Sequence, residues 1–136
     1  MNRIESIVSF INKNDLVVDV GCDQAEASIL LAKNNIKSIA SDISNKVIEK
    51  AKEKVSRLNF ESLIDLRVSN GLEKICKNEA DTLVLAGMGA YTIIEILNNT
   101  KLKFKKIITI SNNNNDMLRI EMNNLNYKID SDLIIY

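Results

Sequence analysis

Apolar residues recur along this chain with two periods, and the switches between them mark out its elements. Ile4, Ile7, Val8 and Ile11 fall at helical spacing and predict a short amphipathic helix at the start. Leu16 to Val20 is a compact apolar run ending at Gly21, read as a buried strand and a sharp turn. Ala25 to Asn34 is rich in helix formers, with Ile29, Leu30 and Leu31 apolar; Ile36 to Ala40 is a second strand, closed by Ser41 and Asp42. A long amphipathic helix follows, with Ser44 as N-cap and Val47, Ile48, Ala51, Val55 and Leu58 as its buried stripe. The alternation continues with strand Leu63 to Val68, a short helix Gly71 to Lys77, strand Asp81 to Ala86 and helix Tyr91 to Asn98. Strand Lys106 to Ile110, a polar turn at Asn112 to Asn115, helix Asp116 to Leu125 and a last strand Tyr127 to Tyr136 complete the series.

Strands alternating with helices imply βαβ units and a mostly parallel sheet. The fold class is therefore α/β, a sandwich of helices about one sheet. With 136 residues the chain has room for one domain, and 46% hydrophobic residues supply a real core. Eighteen basic residues cancel eighteen acidic ones, which argues against nucleic-acid binding by bulk charge. The absence of histidine excludes imidazole general bases, Ser-His-Asp and Cys-His nucleophiles and histidine-ligated zinc. With no proline, turns fall to Gly, Asn, Asp and Ser. Cys22 and Cys76 form no C-x-x-C pair and cannot make a four-cysteine zinc site, so no metal is expected. No apolar run approaches the roughly 18 residues of a membrane span, and no signal peptide opens the sequence; the expectation is a cytoplasmic domain. Heavy use of Lys, Asn and Ile reads as coding bias.

In a parallel sheet, ligands sit beyond the carboxyl ends of the strands, near the point where strand order reverses. The residues to inspect are Gly21 to Glu26, Asp42 and Ile43, Ser69 to Gly71, Ala86 to Ala90, and Ser111 to Asn114. Gly21 permits a tight turn and close approach of a ligand to the backbone. A G-x-G-x-x-G dinucleotide loop would need glycine where Asp23 and Glu26 stand, and two carboxylates there repel a pyrophosphate. S-adenosylmethionine suits this loop better, since it has no phosphate and carries a sulfonium and an ammonium. Asp42 ends the second strand about 20 residues beyond the glycine turn, where an acid accepts hydrogen bonds from ribose hydroxyls. Each residue also has a plainer reading. Asp42 serves equally as a turn or helix-cap aspartate, Asp19 as a carboxylate tying down the loop backbone, Asn70 as a turn residue beside Gly71. Gly87 and Gly89 serve a tight strand-to-helix turn, and Met88 fills core.

Together, the D-x-G-x-D-x-A loop, the acid ending strand two, Asn70-Gly71-Leu72 and Ala86-Gly87-Met88-Gly89 resemble class I S-adenosylmethionine-dependent methyltransferases. More narrowly they resemble the bacterial tRNA (adenine(22)-N(1))-methyltransferase family, often called TrmK, over essentially the whole sequence. The resemblance implies a Rossmann-like three-layer sandwich in one domain, residues 1–136, with S-adenosyl-L-methionine as cofactor. It implies cofactor contacts at Asp19, Gly21, Cys22, Asp23, Asp42, Ile43, Asn70 and Gly71, with Ala86, Gly87, Met88 and Gly89 lining the place where methyl donor and base meet. Asp23 is the best available group for positioning or late proton removal, and Met88 joins it at the reaction centre. Two motifs depart: the family's His-Ala-Tyr is Gln24-Ala25-Glu26 here, and its Gln-Pro-Asn is Ile110-Ser111-Asn112, keeping only the Asn; Arg119 on the next helix matches. The family also continues with an antiparallel strand and a helical RNA-binding extension, both expected to be missing by Tyr136. Tyr127 to Tyr136 is then left to pair differently, to remain an edge, or to recruit another chain as a homo-oligomer or partner contact.

The implied activity is methylation of an adenine N1 in tRNA, which needs alignment more than a strong base because N1 already presents a lone pair. Lys46 to Lys54 alternates with Glu49 and Glu53 and reads as a solvated face; Lys101 to Lys106 is a candidate phosphate contact. Two other classes remain open: a non-catalytic methyltransferase-fold interaction protein, and a methyltransferase acting on a small molecule.

Overall fold

A computed structural model describes residues 2–111 and 113–130. The elements are α1 (Arg3–Ser9), β1 (Val17–Val20), α2 (Glu26–Lys33), β2 (Ser38–Asp42), α3 (Asn45–Arg57), β3 (Ile64–Val68), β4 (Thr82–Met88), α4 (Ala90–Asn98), β5 (Lys106–Ser111) and α5 (Asn115–Asn124). The five strands pair in the order β3-β2-β1-β4-β5, all parallel. β1 is central and buried at every position, which explains why its sequence is a continuous apolar run interrupted only by Asp19.

Side chains alternate across β1 and divide the core in two. Val18 and Val20 join Leu83, Leu85, Ile93 and Leu97 on the face covered by α4 and α5. Val17 points the other way, into a cluster with Ile7 of α1, Leu31 and Ile36. Farther along that face, Ile48, Ala51 and Val55 of α3 pack on Ile29 and Ala40. Burying these faces on a sheet is the main driving force, about 1.5–3 kcal/mol for each large apolar side chain.

Helix ends show how a chain without proline and with four glycines makes its turns. Asn35, Asn59 and Asn126 follow α2, α3 and α5 with φ of +61°, +59° and +69°. After each, the next amide donates five residues back, Ile36 to Leu31 O, Phe60 to Val55 O and Tyr127 to Met122 O, each at 2.9–3.0 Å. This is the Schellman ending, with asparagine where glycine is usual. The asparagines laid to coding bias therefore carry a structural task. At the helix starts, Ser44 Oγ accepts from Val47 N–H, and Asn2 and Glu5 form a capping box on α1.

Two expectations need correction. Gly71 to Lys77 is a set of turns and not a helix. Gly71 sits at φ +59°, and Ser69 Oγ donates to Gly71 O (2.9 Å) and accepts from Lys74 N–H (3.1 Å). These side-chain bonds replace a helical turn. Arg67 on β3 then pins the segment, donating to Lys74 O and to both carboxylate oxygens of Glu79. The predicted last strand is the second: residues 127–130 are irregular, and the rest of Tyr127 to Tyr136 lies outside the described residues, as does Asn112. Tyr127 instead accepts a hydrogen bond at its hydroxyl from Phe104 N–H (3.2 Å).

The Lys101 to Lys106 stretch also has another use. Lys106 Nζ bridges Asp15 Oδ2 and Phe10 O, both at 2.8 Å, and Lys105 reaches Asp15 Oδ1 at 3.1 Å. Two of its cations thus tie β5 to the segment between α1 and β1. Burial by itself raises the pKa of Asp15, but the bonds from Lys106, the Asn12 amide and Lys105 outweigh it and hold it at about 2. Its stabilisation is therefore complete above about pH 4 and is lost as pH falls toward 2. We expect Asp15→Asn to cost about 3 kcal/mol at pH 7, with the difference from wild type narrowing toward pH 2 in urea titrations. Equal midpoints at pH 7 overturn this account.

Candidate functional site

Strand order reverses between β2 and β4, on either side of β1, and a cleft of about 580 Å³ opens at the carboxyl end of that junction. Asp19, Gly21, Cys22 and Asp23 form one wall, Ala86 and Gly87 a second, and the start of α1 a third. Its volume is that of an ordinary small-molecule site.

Local geometry follows from three features. Gly21 has φ +75°, which a side chain disfavours, and a Cβ there would stand 2.6 Å from Met88 Cε. Met88 therefore packs directly over the glycine turn. Asp23 and Ala25 also have positive φ, +48° and +58°. Among the described non-glycine residues the other positive-φ positions are all asparagines, so these two mark strain specific to the first loop. Third, β4 slips by one residue against β5 between Ala86 and Met88, leaving Gly87 unpaired at φ +76° with nothing within 4 Å of the place a Cβ would occupy. The bulge turns bare backbone toward open space.

The loop is clasped to β2. Gly21 and Cys22 N–H both donate to Ser41 O, at 2.9 and 2.8 Å. Asp42 Oδ2 accepts from Asp23 N–H (3.2 Å) and Oδ1 from Ser44 N–H (3.0 Å). Asp42 thus performs the turn role directly, and it also brings the ends of β1 and β2 together. The role of loop tie considered for Asp19 falls to Asp42: among the described residues no hydrogen bond reaches the Asp19 carboxyl, although its residue is only 5% exposed. Burial first, and then the charge of Asp42, push its pKa up to about 7. The Cys22 thiol is pushed up to about 12 by burial and by Asp19 and Asp42, so it is unreactive at neutral pH.

The other sequence candidates, Asp42, Ile43, Asn70, Gly71, Met88 and Gly89, follow or end the same strands but are not among the residues that line the cleft. Ile43 stands 69% exposed just past Asp42, and Asn70 and Gly71 follow β3, where Gly71 faces Ile96 of α4. Gly89 is the N-cap of α4, whose first amide, Ala90 N–H, donates to Asn113 Oδ1 (3.2 Å). Sequence reading missed the third wall entirely. Asn2, Arg3 and Ile4 line the cleft because α1 packs on one face of the sheet with its first turn toward that end, and nothing in a short amphipathic helix announces where it will pack.

A parallel 3-2-1-4-5 sheet with a glycine turn and acidic cleft at its switch point defines a Rossmann-like binding domain. Residues 1–136 match a family model described as a methyltransferase domain, and the chain belongs to that family. It is 33% identical over 97 residues to the tRNA (adenine(22)-N(1))-methyltransferase of Bacillus subtilis (strain 168), which covers 70% of this chain and 41% of that protein. Its structure is similar to that of M. capricolum TrmK in complex with S-adenosyl-homocysteine (TM-score 0.89, 32% identity, 98% of this chain and 62% of that one). It is also similar to the B. subtilis M1A22 tRNA methyltransferase TrmK (TM-score 0.92, 28% identity, 98% and 59%). The chain therefore spans less than two thirds of the length of these relatives.

A folded-state pKa near 7 on Asp19 means the fold holds a proton that the unfolded chain has released between about pH 4 and 7. Stability accordingly falls as pH rises through that window. We expect Asp19→Asn to be more stable than wild type at pH 8 by about 2–4 kcal/mol, with the gap closing near pH 4. Melting curves whose difference does not change with pH overturn this assignment.

Proposed function

We propose that this chain is the cofactor-binding part of an S-adenosylmethionine-dependent methyltransferase that modifies N1 of an adenine in tRNA, a cytoplasmic activity. The observation that carries the reading is the cleft at the β1/β4 switch point. A buried acid without a hydrogen-bond partner among the described residues stands there beside bare glycine backbone, which suits a cationic, phosphate-free ligand. The relative crystallised with S-adenosyl-homocysteine supports the same cofactor.

Bound S-adenosylmethionine supplies an electrophilic methyl group. The protein's part is alignment. Asp19 and Asp23 face the cationic end, Asp42 and Ile43 meet the ribose and the adjoining base, and Asn70 and Gly71 close the far side. Gly21 and Cys22 supply backbone for close approach. Ala86, Gly87, Met88 and Gly89 form the floor where the target base enters. Met88 over Gly21 excludes water from that floor, and Asp23 orients the target or takes its proton after transfer. Holding both reactants in register is worth about 7–11 kcal/mol of barrier, so a chain without histidine loses nothing essential. Lys105 and Lys106 are engaged by Asp15, whereas Lys101 and Lys103 of the same stretch stay exposed and open to phosphate, and further tRNA grip is expected from the length that the relatives have in addition. β5 pairs only with β4 among the described residues and is half-buried throughout, so its free edge is the expected place for an added strand, from a longer form or a second chain.

Incubation with labelled methyl donor and either total tRNA or a small-molecule pool tests the proposal. Label in tRNA, falling steeply as salt rises, is the expected result. Label only in small molecules selects a different substrate, and cofactor binding without transfer selects an interaction protein. Asp42→Ala is expected to weaken S-adenosylmethionine binding by about 1.5–3 kcal/mol in calorimetry. Unchanged affinity takes Asp42 out of the site.

A further inference from the structure

Among the described aromatic residues, one is left in solvent. Phe104 is buried, Phe10, Phe60 and Tyr127 are half-buried, and Tyr127 uses its hydroxyl to accept from Phe104 N–H. Tyr91 alone is exposed, at 68%, and its hydroxyl makes no hydrogen bond among the described residues. An exposed ring of that size gives up the stabilisation that burial brings.

Its place follows from the start of α4. Ala90 and Ile93 are both fully buried and fix the rotation of the helix, so residue 91 is turned away from the sheet. Side chains on a helix lean toward its N-terminus, so the ring covers the turn Gly87-Met88-Gly89 and not the body of α4. That turn is held in place. Ala90 N–H donates to Asn113 Oδ1, and a Cβ on Gly89 would stand 3.4 Å from the same oxygen, so the loop after β5 packs against the helix start. Gly87 lines the cleft, and its bulge leaves nothing within 4 Å of the place a Cβ would occupy. An aromatic face thus stands at the edge of an open glycine slot, four residues from backbone that lines the cleft.

Glycine backbone and one methionine admit a planar group but offer no flat face to hold it. A base drawn out of an RNA stack loses its neighbours, and aromatic side chains replace them in proteins that bind unpaired bases. We infer that Tyr91 is the stacking platform for the RNA base that enters over Gly87. This rests on the RNA methyltransferase reading above and adds to it a hold on the base itself. Such a hold involves no phosphate, so it is independent of salt. With its ring in solvent, Tyr91 can be replaced without opening a cavity in the core.

Methyl transfer to tRNA at saturating methyl donor measures this hold. Tyr91→Ala is expected to raise KM for tRNA about 5- to 100-fold, the worth of one stacked base, without changing the slope of log KM against log salt. Tyr91→Phe keeps the ring and is expected to retain the wild-type KM, whereas Tyr91→Leu keeps only apolar area and should behave like the alanine variant. Unchanged affinity for S-adenosylhomocysteine in all three reports an intact fold. The chain has no tryptophan, so Tyr91→Trp places a single indole at the proposed platform. Its fluorescence is expected to be quenched by tRNA, and not by tRNA carrying an abasic site at the target adenine. If Tyr91→Ala leaves KM unchanged, if leucine serves as well as phenylalanine, or if the indole is not quenched, Tyr91 is no stacking platform although the methyltransferase reading stands. If wild type transfers no methyl group to tRNA, that reading itself fails and takes this inference with it.

Discussion

The clasp between the first loop and β2 organises everything at the ligand end of this molecule. Two amides of the turn, Gly21 and Cys22, converge on Ser41 O, and the Asp42 carboxylate holds the amide of Asp23. These bonds bend the chain sharply away from β1 before α2 begins. The bend clears the space above the sheet, and it costs two non-glycine residues in left-handed conformation. Without it β1 would run on, Met88 would have no glycine to pack over, and the switch point would be closed.

Charge in the cleft follows from the same bend. Asp19 sits in the central strand, where a carboxylate is costly to bury, and the nearby charge of Asp42 adds to the cost. A fold that only needed to be stable would place an apolar residue at that position. Retaining an acid with no hydrogen bond among the described residues makes sense when a cation supplies the missing interaction on binding. Local stability is then traded for affinity.

The sequence made the sheet legible because strands buried on both faces read as apolar runs, and helices on one face read as stripes. Ser44 was recognisable as a cap, and Gly21, Asp23 and Asp42 as site candidates, since their chemistry is local. The turn at Gly71 was misread as a helix because Ser69 and Arg67 redirect its backbone through side-chain bonds that no periodicity encodes. Arg3 was invisible for another reason: it lines the cleft only because α1 packs on the sheet with its first turn toward that end. Lys105 and Lys106 read as candidate phosphate contacts until the fold brought Asp15 beside them. What sequence reading missed is long-range placement, and what it saw is local pattern.

The asparagines that end α2, α3 and α5 have a consequence at the level of the genetic code. Glycine codons begin with two guanines and proline codons with two cytosines, whereas asparagine is written with adenines and a pyrimidine. A gene drifting toward adenine and thymine loses its ordinary helix stops first. Asparagine is the residue best able to replace glycine in a left-handed turn, because its short amide tolerates that conformation. At the three Schellman endings asparagine holds the left-handed position that glycine usually takes, so these helices stop sharply without a guanine-rich codon.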